Sequence, residues 1–505
     1  MTLTQTPGTA GAPLAARSTE QLHAPYVEAL LAYGHRAPQR LHVPGHGGGA
    51  GADPALFAAL GASTFQLDIP QDIEGVDIGA RPTPYERAET LAAAAYGAGR
   101  TWFLTNGATQ GNQAICLALT PAGTAAVVQR NCHGSVIDGL VLSGGSPTYV
   151  TPGYDAGLGM ATVVTPDSLR AALRERPDAR VAMLVSPTYF GMVADVAGCA
   201  EVAREAGVTL VVDCAWGPHF GFHPALPDSP LRRGADVALT SIHKHAGSLT
   251  QSAMLHVAPD REQLTERIGR AVRLLRSTSP SSLLLASLDA ARRQLVVRGA
   301  RVLGDAIVAG ERLRERVEEI DGCQVLDRSW NGPAIDAWDP LRVVVDVRGT
   351  GVPATTVAAL LRDVHDVQPE LSTHTSIVFV IPLGMTATTA EHVADALREA
   401  VADGARGSSS IPESVLAAPP SAERPRCSPR EAFLGRVERV RRSAAIGRLS
   451  AEAISAYPPG IPALLPGEPI TRRALDQLLS LHAAGLRLHG ASDPDLNTLV
   501  VTAES

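Results

Sequence analysis

Short apolar runs, separated by segments with helical periodicity, constrain the fold of this 505-residue chain more than any other feature. The runs are rich in valine, alanine and leucine and lie at 125–129, 181–185, 208–212 and 237–240. Most of them are followed by polar or small residues and then by a helical segment. This alternation predicts an α/β fold with a mostly parallel, doubly wound sheet.

The carboxyl ends of the predicted strands carry residues that are capable of chemistry. In open α/β sheets, ligands bind outside these ends, where the connecting loops meet. The residues at or just after these ends are Asn106, His133, Thr188, Asp213 and Lys244. We therefore expect one site at this edge of the sheet.

Asp213 and Lys244 are the two most informative of these residues. An acid that ends one strand and a lysine just past the next is the layout used by enzymes that depend on pyridoxal phosphate (PLP). In such enzymes the lysine forms a Schiff base with the cofactor, and the acid keeps the pyridine nitrogen protonated. Separately, Lys244 could be an exposed strand-end lysine and Asp213 a turn or N-cap acid. Together they favour the PLP interpretation.

A turn with the sequence NGATQGN, at 106–112, follows a strand-like run and precedes a helix. Its free backbone N–H groups and the Thr109 hydroxyl would lie at a helix N-terminus, which attracts anions. The turn matches neither the G-x-G-x-x-G pattern nor the P-loop, so it does not predict a nucleotide site.

Four histidines could be metal ligands, but their surroundings favour structural roles. His42 and His46 have no carboxylate or thiol at ligand spacing, so a loop that lines a cleft is the preferred interpretation. His219 and His223 lie in a segment whose proline and glycine oppose a helix. The sequence therefore predicts no metal site.

Cys214 and His133 are further candidates for direct roles in chemistry. Cys214 lies next to Asp213, but no paired base accompanies it, so a nucleophilic role is not predicted. His133 alone would be a structural histidine; at a strand end it could instead stack on a ring or transfer protons.

Composition excludes several functions. The net charge of −7 gives no electrostatic attraction for nucleic acid or an anionic membrane, although it is compatible with a cationic substrate. No apolar run is long enough to cross a bilayer, and the N-terminus lacks the pattern of a secretory signal. The six cysteines are scattered without a C-x-x-C pair, which indicates a reduced, cytoplasmic chain.

The chain divides into five predicted parts. These are a leader and helix (1–40), a large domain (41–300), a small α/β domain (301–403), a linker rich in Gly, Ser and Pro (404–429) and a C-terminal domain (430–505). Helices are predicted in the C-terminal domain at 431–440 and near 472–484.

Several segments together resemble the fold-type I, PLP-dependent ornithine/lysine/arginine decarboxylase family. The matching segments, in the family's order, are HVPGH, NGATQGN, RNCHGS, SPTYFG, VDCAWGPHFGFHP, SIHKHAGSLTQSA, STSPSSLLLASLDAAR and AYPPGIPALLPGE. The large N-terminal wing domain of some members is missing, so the chain resembles the compact form. The resemblance implies an aspartate aminotransferase-like large domain with a mostly parallel, seven-stranded sheet, a small α/β domain and a C-terminal α+β domain.

The same resemblance implies a role for each site residue. Lys244 would carry PLP, Asp213 would pair with the pyridine nitrogen, and His133 would stack on the ring. The family builds its sites at a dimer interface, so the resemblance implies a homodimer or a higher homo-oligomer with shared sites. The substrate would be lysine, arginine or ornithine, decarboxylated to the amine. The remaining cofactor contacts would be Ala108, Thr109, Ser241 and His243 at the phosphate, Ala215 and Trp216 beside the ring, and Thr278 and Ser279 at the neighbouring subunit's phosphate.

Three departures from the family pattern keep alternatives open. Gly47 replaces a common lysine, Ser281 and Ser282 replace a common tyrosine, and Ala108 stands where a hydroxyl residue is usual. An aminotransferase or oxidative deaminase that acts on a similar amino acid is one alternative. A catalytically silent, regulatory family member is the other.

Overall fold

Residues 19–327, 330, 334–406, 423–457, 462–483 and 486–504 are described by the computed structural model of the chain. Three sequence predictions fall wholly or mainly outside these ranges: the leader, most of the linker, and the centre of the YPPGIP segment. The predicted domain boundaries remain predictions. No helix within the described residues has the length and hydropathy needed to span a bilayer.

Strands of the chain form one large sheet and several small ones. The strands are β1 (Arg100–Leu104), β2 (Ala125–Gln129), β3 (Ser146–Val150), β4 (Tyr154–Asp155), β5 (Met160–Ala161), β6 (Val181–Val185), β7 (Met192–Val193), β8 (Thr209–Asp213), β9 (Val237–Thr240), β10 (Ala253–Val257), β11 (Gln324–Leu326), β12 (Ala337–Trp338), β13 (Arg342–Asp346), β14 (Leu371–Ser372), β15 (Ser376–Val380), β16 (Val437–Arg441), β17 (Ile454–Tyr457), β18 (Pro462–Leu464), β19 (Arg487–His489) and β20 (Thr498–Thr502).

Helices cover the faces of these sheets. The helices are α1 (Pro25–Arg36), α2 (Pro54–Leu60), α3 (Ala62–Leu67), α4 (Pro84–Tyr96), α5 (Gly107–Leu119), α6 (Gly134–Ser143), α7 (Pro166–Glu175), α8 (Val196–Glu205), α9 (Ile242–His245), α10 (Glu262–Leu275), α11 (Ser282–Glu318), α12 (Ala354–Asp363), α13 (Ala387–Gly404), α14 (Pro429–Leu434), α15 (Arg442–Ala445) and α16 (Arg472–Ala483).

The large sheet has seven strands in the order β1-β10-β9-β8-β6-β2-β3. Strands β9, β8, β6, β2 and β3 pair in parallel, whereas β10 runs antiparallel to both of its neighbours. The predicted α/β fold and its mostly parallel, seven-stranded sheet are confirmed. The parallel strands place β8 and β9 side by side, so the chain leaves both strands at the same edge of the sheet.

Helix α5 lies unusually close to this sheet. A Cβ atom at Gly111 would lie 2.3 Å from Leu239 Cδ1 of β9, so only glycine allows the observed approach. The next residue, Asn112, is thereby held in the interior, with 1% of its surface exposed. The close approach brings the start of α5 to the carboxyl edge of the strands.

A smaller antiparallel sheet, in the order β11-β13-β15-β14, packs against α11 and α12, and α13 packs on these two helices. The 37-residue helix α11 connects both sheets. Near its start, Ser287 Oγ accepts a hydrogen bond from Leu249 N, in the loop after α9 (3.2 Å). Near its end, Arg314 Nη2 donates to the carbonyl oxygens of Pro340 (2.7 Å) and Arg342 (2.8 Å).

The prediction of a helix at 431–440 is wrong over its second half. Helix α14 ends at Leu434, and Val437–Arg441 forms β16, which pairs antiparallel with β20. Two causes explain the change from helix to strand, one in the local sequence and one in the tertiary fold. Gly435 interrupts the helix, and the β-branched Val437 and Val440 then fit a strand whose partner lies about sixty residues away.

A buried ion pair joins the large sheet to the C-terminal residues. Arg130, just after β2, donates through Nη1 and Nη2 to the two carboxylate oxygens of Glu468. Both side chains are at most 3% exposed. Bidentate geometry of this kind fixes orientation as well as distance.

We expect Glu468→Ala to lower the free energy of unfolding by about 3–5 kcal/mol, because it leaves the Arg130 guanidinium buried without a counter-charge. Chemical denaturation measures this change. Arg424→Ala is the matched control: it removes an exposed pair with Glu175 and should cost less than about 1 kcal/mol. Equal losses in the two variants would contradict the prediction.

Candidate active site

Asp213 is held at the end of β8 by two hydrogen bonds to its carboxylate. Its Oδ2 accepts from Asn112 Nδ2 (2.9 Å), and its Oδ1 accepts from the backbone N–H of Ala215 (3.1 Å). The residue is 6% exposed. Each oxygen has a further lone pair, so the carboxylate can still accept a hydrogen bond from a donor such as a pyridinium N–H.

A hydrogen-bond chain connects Asp213 to His133. Asn112 Nδ2 also donates to Ser135 Oγ (3.0 Å), and Ser135 Oγ lies 2.8 Å from His133 Nδ1. His133 Nδ1 accepts from the Ser135 backbone N–H as well, so we assign the imidazole proton to Nε2. The imidazole is exposed and fixed at the start of α6, as a ring that stacks on a ligand must be.

Asn112 is not among the site residues predicted from the sequence. It is the second asparagine of NGATQGN, and its importance depends on α5 lying close to β8 and β9. Sequence spacing alone does not reveal that proximity.

Lys244 lies in the single turn α9, directly after β9. Its Nζ is 3.7 Å from the centroid of the Trp216 ring. Burial lowers the pKa of the Lys244 ammonium to about 8, although the negative charge of Asp213 acts in the opposite direction. A lysine with this pKa has a substantial neutral, nucleophilic fraction near neutral pH.

Lys244 is also the only lysine in the chain. The other side chains that carry a full positive charge at neutral pH are arginines, whose guanidinium does not form an imine with an aldehyde at that pH. The single ε-amino group of the protein therefore lies in the candidate site.

The lowered pKa predicts a pH dependence for PLP uptake. We expect the rate at which PLP-free protein takes up PLP to rise with pH through about 8 and then to level off, because only the neutral amine reacts. Stopped-flow absorbance measures this rate. In Asp213→Asn the midpoint should fall, since the carboxylate that raises the Lys244 pKa is gone; an unchanged midpoint would contradict the assigned cause.

The start of α5 is the place at which the sequence predicts an anion site. Gly107 N donates to Gln251 O (2.7 Å), which fixes the turn, and the next amides, those of Ala108 and Thr109, have no intrahelical acceptor because they belong to the first turn. Both residues are half-buried. The turn therefore presents N–H groups and a hydroxyl in one place.

The loop that contains Lys244 also carries Ser241 and His243, and His243 is linked to the segment that holds this turn. His243 Nδ1 donates to Ser252 O (2.9 Å), and Ser252 follows the Gln251 that holds Gly107. Ser241 N donates to Ala215 O (3.3 Å), which ties the lysine loop to the loop after Asp213. The structure thus brings these predicted site residues together within one set of connected loops.

Thr278 and Ser279 are the exceptions. Both are exposed in the connection between α10 and α11, and the hydrogen bond of Ser279 N is local, to Ser277 Oγ (3.1 Å). No hydrogen bond among the described residues joins them to Asp213 or Lys244 of the same chain.

A second buried cluster lies beside Trp216 and was not predicted. His219 Nε2 donates to Asp339 Oδ1 (3.0 Å), and the His219 and His245 rings pack at 4.5 Å between centroids. Burial would raise the Asp339 pKa, but the adjacent His219 holds it well below its usual range. The potential ligand atoms of these three residues lie within 4.8 Å of one another, yet the nearby Arg342 guanidinium opposes a divalent cation.

The remaining candidates have structural contacts. His46 Nε2 pairs with Asp68 Oδ2 (3.2 Å), and His42 Nε2 lies 2.8 Å from the Tyr33 hydroxyl. Cys214 is fully buried, and burial raises the pKa of its thiol, which opposes a nucleophilic role.

The site's donor set fits PLP. PLP requires partners for its aldehyde, ring nitrogen, ring face and phosphate. The site offers an amine, a carboxylate with free lone pairs, an exposed imidazole and a helix start with free N–H groups. They lie at the edge of the sheet where ligands bind in this class of fold.

Comparison with known families identifies the chain. Residues 24–389 match the model described as the Orn/Lys/Arg decarboxylase major domain, and residues 410–493 match the model of its C-terminal domain. The chain belongs to the Orn/Lys/Arg decarboxylase family. The resemblance inferred from the sequence motifs is confirmed, and so is the prediction of an amino-acid decarboxylase.

Two groups of relatives illustrate the similarity. The arginine decarboxylase of Halalkalibacterium halodurans is 33% identical, over 96% of this chain and 99% of that protein. The arginine decarboxylase of Bacillus subtilis is 32% identical, with the same coverage. The constitutive lysine decarboxylase of Escherichia coli is 24% identical, over 92% of this chain and 78% of that protein.

Solved structures agree on the fold. The structure of the E. coli constitutive lysine decarboxylase matches with a TM-score of 0.79 at 22% identity. The match covers 96% of this chain and 82% of the lysine decarboxylase chain. Lysine decarboxylase A of Pseudomonas aeruginosa has a TM-score of 0.80 at 22% identity, with 96% and 81% covered. None of these comparisons favours the aminotransferase or regulatory alternatives.

Proposed function

We propose that this protein decarboxylates L-arginine with PLP as its cofactor, and that Lys244 and Asp213 are the central catalytic residues. One observation carries the proposal. The only lysine of the chain, with a pKa lowered to about 8, follows strand β9, and the neighbouring strand β8 ends in a carboxylate that Asn112 and Ala215 hold. A structural role would not require this combination.

PLP, when bound, supplies an electron sink that accepts the electron pair left at Cα when the carboxyl group departs as CO2. Asp213 would hold a proton on the pyridine nitrogen, because its ionised carboxylate favours the cationic ring. The amides of Ala108 and Thr109, with Ser241 and His243 beside them, would bind the phosphate. His133 would cover one ring face, and Ala215 with Trp216 would line the other side.

The chain's own residues then handle one proton. Loss of CO2 leaves an electron pair at Cα, and one proton must replace the carboxyl group there to give the amine. We assign delivery of that proton to Lys244 Nζ, because it is the only side-chain amine of the chain and its pKa is about 8.

Arginine is the proposed substrate because relatives that are named arginine decarboxylases share 32–33% of residues over nearly the whole chain. Relatives named lysine decarboxylases share 24% and are longer than this chain. The net charge of −7 is compatible with a cationic substrate.

The test is release of CO2 and amine from L-arginine, L-lysine and L-ornithine by the purified protein with PLP. We expect the highest kcat/KM with L-arginine and formation of agmatine. A higher value with lysine or ornithine would reassign the substrate. Formation of a keto acid instead of an amine would overturn decarboxylation.

We further propose that the working form is a cytoplasmic homodimer with shared sites. Thr278 and Ser279 are exposed, and no hydrogen bond among the described residues joins them to Asp213 or Lys244 of their own chain, as expected of residues that reach a neighbour's phosphate. Sedimentation of the protein gives the oligomeric state.

Exposed apolar side chains from the N-terminal segment offer a surface for the contact, namely Leu41, Val43, Leu56, Leu60 and Ile78.

A further inference from the structure

Gln251 joins the loop between α9 and β10 to the turn that starts α5. Its carbonyl oxygen accepts a hydrogen bond from Gly107 N (2.7 Å), and its side-chain Nε2 donates to Asn106 Oδ1 (3.0 Å). The carbonyl oxygen of the next residue, Ser252, accepts from His243 Nδ1 (2.9 Å). Gln251 therefore binds the turn with both its backbone and its side chain.

The backbone of Gln251 has an uncommon conformation. Its φ is 79°, in the left-handed region that a residue such as glutamine rarely adopts. Gln251 is exposed, so packing of a core does not impose this conformation. Such conformations persist where the surrounding contacts require them, and they cluster at ligand-binding turns. Here the contacts are the two hydrogen bonds to Gly107 and Asn106.

Asn106 occupies the N-cap position of α5 but does not cap the helix. An N-cap asparagine normally accepts, through its side-chain oxygen, from the N–H of the second or third helical residue. In α5 these residues are Ala108 and Thr109, and the Asn106 side chain forms no such hydrogen bond in the described part of the chain. Its oxygen accepts from Gln251 instead. The ψ of Asn106 is 38°, which differs from the extended value that is usual at an N-cap.

The start of α5 consequently keeps two amides free. Gly107 N donates to Gln251, and Gln110 N donates to Asn106 O (3.3 Å), whereas no hydrogen bond among the described residues uses the N–H of Ala108 or Thr109. These two amides are the donors proposed for the phosphate. A capping asparagine would compete with an anion for them, because both bring oxygen acceptors to the same N–H groups.

We propose that Gln251 is a positioning residue that keeps the first turn of α5 free for the phosphate of the cofactor, by holding the Asn106 side chain away from it. The proposal rests on the proposed function, since it takes the amides of Ala108 and Thr109 as the phosphate donors. Gln251 acts through Asn106 and has no assigned contact with the cofactor.

The test compares PLP with pyridoxal, which has the same ring and aldehyde but no phosphate. Absorbance titration of the PLP-free protein measures the Kd of each. Gln251→Gly retains the carbonyl oxygen and tolerates the positive φ, so it removes only the side-chain amide. Asn106 can then cap α5. We expect the Kd of PLP to rise by about 10-fold, as competition from one capping hydrogen bond predicts, and the Kd of pyridoxal to stay within about twofold.

A double variant separates competition by Asn106 from general damage to the loop. When Asn106→Ala is combined with Gln251→Gly, the side chain that would cap α5 is gone as well. We expect the Kd of PLP in the double variant to return to within about threefold of the wild-type value. A merely structural role for Gln251 predicts the opposite result, in which the double variant binds PLP no better than Gln251→Gly alone.

Asp260→Gly is the matched control. Asp260 lies three residues after β10, whereas Gln251 lies two residues before it, and Asp260 is also exposed with a positive φ of 57°. No hydrogen bond among the described residues joins its side chain to the turn that starts α5. Asp260→Gly should therefore leave both Kd values within about twofold of wild type.

Gln251→Asn serves if Gln251→Gly does not fold. Asparagine tolerates a positive φ, but its side chain is one methylene shorter and does not span the distance to Asn106. The same selective loss of PLP affinity is expected.

Three results would overturn the proposal. The first is a Kd of PLP in Gln251→Gly that is unchanged or that rises together with the Kd of pyridoxal. The second is a double variant without recovery. The third is equal affinity of the wild-type protein for PLP and pyridoxal, which would remove the phosphate from α5. Failure of the proposed decarboxylation is distinguishable, because CO2 release is measured separately and the two Kd values do not depend on it.

Discussion

Lys244→Ala is expected to lower kcat for decarboxylation by roughly 10,000-fold or more, because it removes both the amine that binds PLP and the proposed proton donor at Cα. The visible absorbance of the PLP-treated protein should also be lost. Radiolabelled CO2 release measures the first effect, and an absorbance spectrum after gel filtration measures the second.

Lys244→Arg is the matched control for charge. It keeps a cation on the Trp216 ring, where Lys244 Nζ now lies at 3.7 Å, but it cannot form a covalent bond to the PLP aldehyde. We expect a loss as large as that in Lys244→Ala. Decarboxylation by Lys244→Arg at more than about a tenth of the wild-type kcat would show that charge, and not the amine, is what the site needs.

The wild-type protein offers a direct chemical check. Borohydride traps PLP on a lysine as a stable secondary amine, and this chain has one lysine. Intact mass after reduction should show one pyridoxyl group for each chain, and peptide mapping should place it at residue 244. Labelling at the N-terminus alone would contradict the assignment.

Asp213→Asn is expected to lower kcat by about 100- to 1,000-fold while PLP stays bound. The substitution removes the negative charge that favours the protonated pyridine. It also forces an amide NH2 toward either Asn112 Nδ2 or Ala215 N, which are both donors, so one hydrogen bond is lost. Steady-state kinetics and the absorbance spectrum together measure this prediction.

Asp138→Asn provides the control for a change of one charge near the site. Asp138 is exposed on α6, five residues after His133, whose charge acts on its carboxylate, and no hydrogen bond among the described residues joins that carboxylate to Asn112. Because solvent screens an exposed charge, kcat should remain within about threefold of wild type. A comparable loss in both variants would mean that net charge alone explains the effect of Asp213→Asn.

The sequence predicted the parts of the site that depend on local order along the chain. Strands β2, β6 and β9 have the predicted bounds, since a short valine-rich run followed by a polar turn is a local signal. Asp213 and Lys244 end or follow two such runs. Parallel pairing of neighbouring strands is then sufficient to bring them to one edge.

The rest of the site depends on contacts between distant segments. Asn112 reaches Asp213 because Gly111 lets α5 approach β9, and no spacing rule contains that distance. Arg342, whose Cζ lies 3.9 Å from the centroid of the Trp216 ring, comes from the smaller sheet, nearly one hundred residues after Lys244, in a run that looks like an ordinary strand. The erroneous helix at 437–440 has the same origin, since the pairing with β20 overrides the local preference.

Helix α11 has a mechanical consequence for how the enzyme handles its substrate. Its 37 residues form about 55 Å of continuous helix. Ser287 binds the loop after α9, and Arg314 binds the start of β13. The loop after α9 and the start of β13 are thus both attached to one long helix, so the distance between them is set before any ligand arrives. We therefore expect admission of substrate and escape of product to depend on the surrounding loops rather than on a swing of one sheet away from the other.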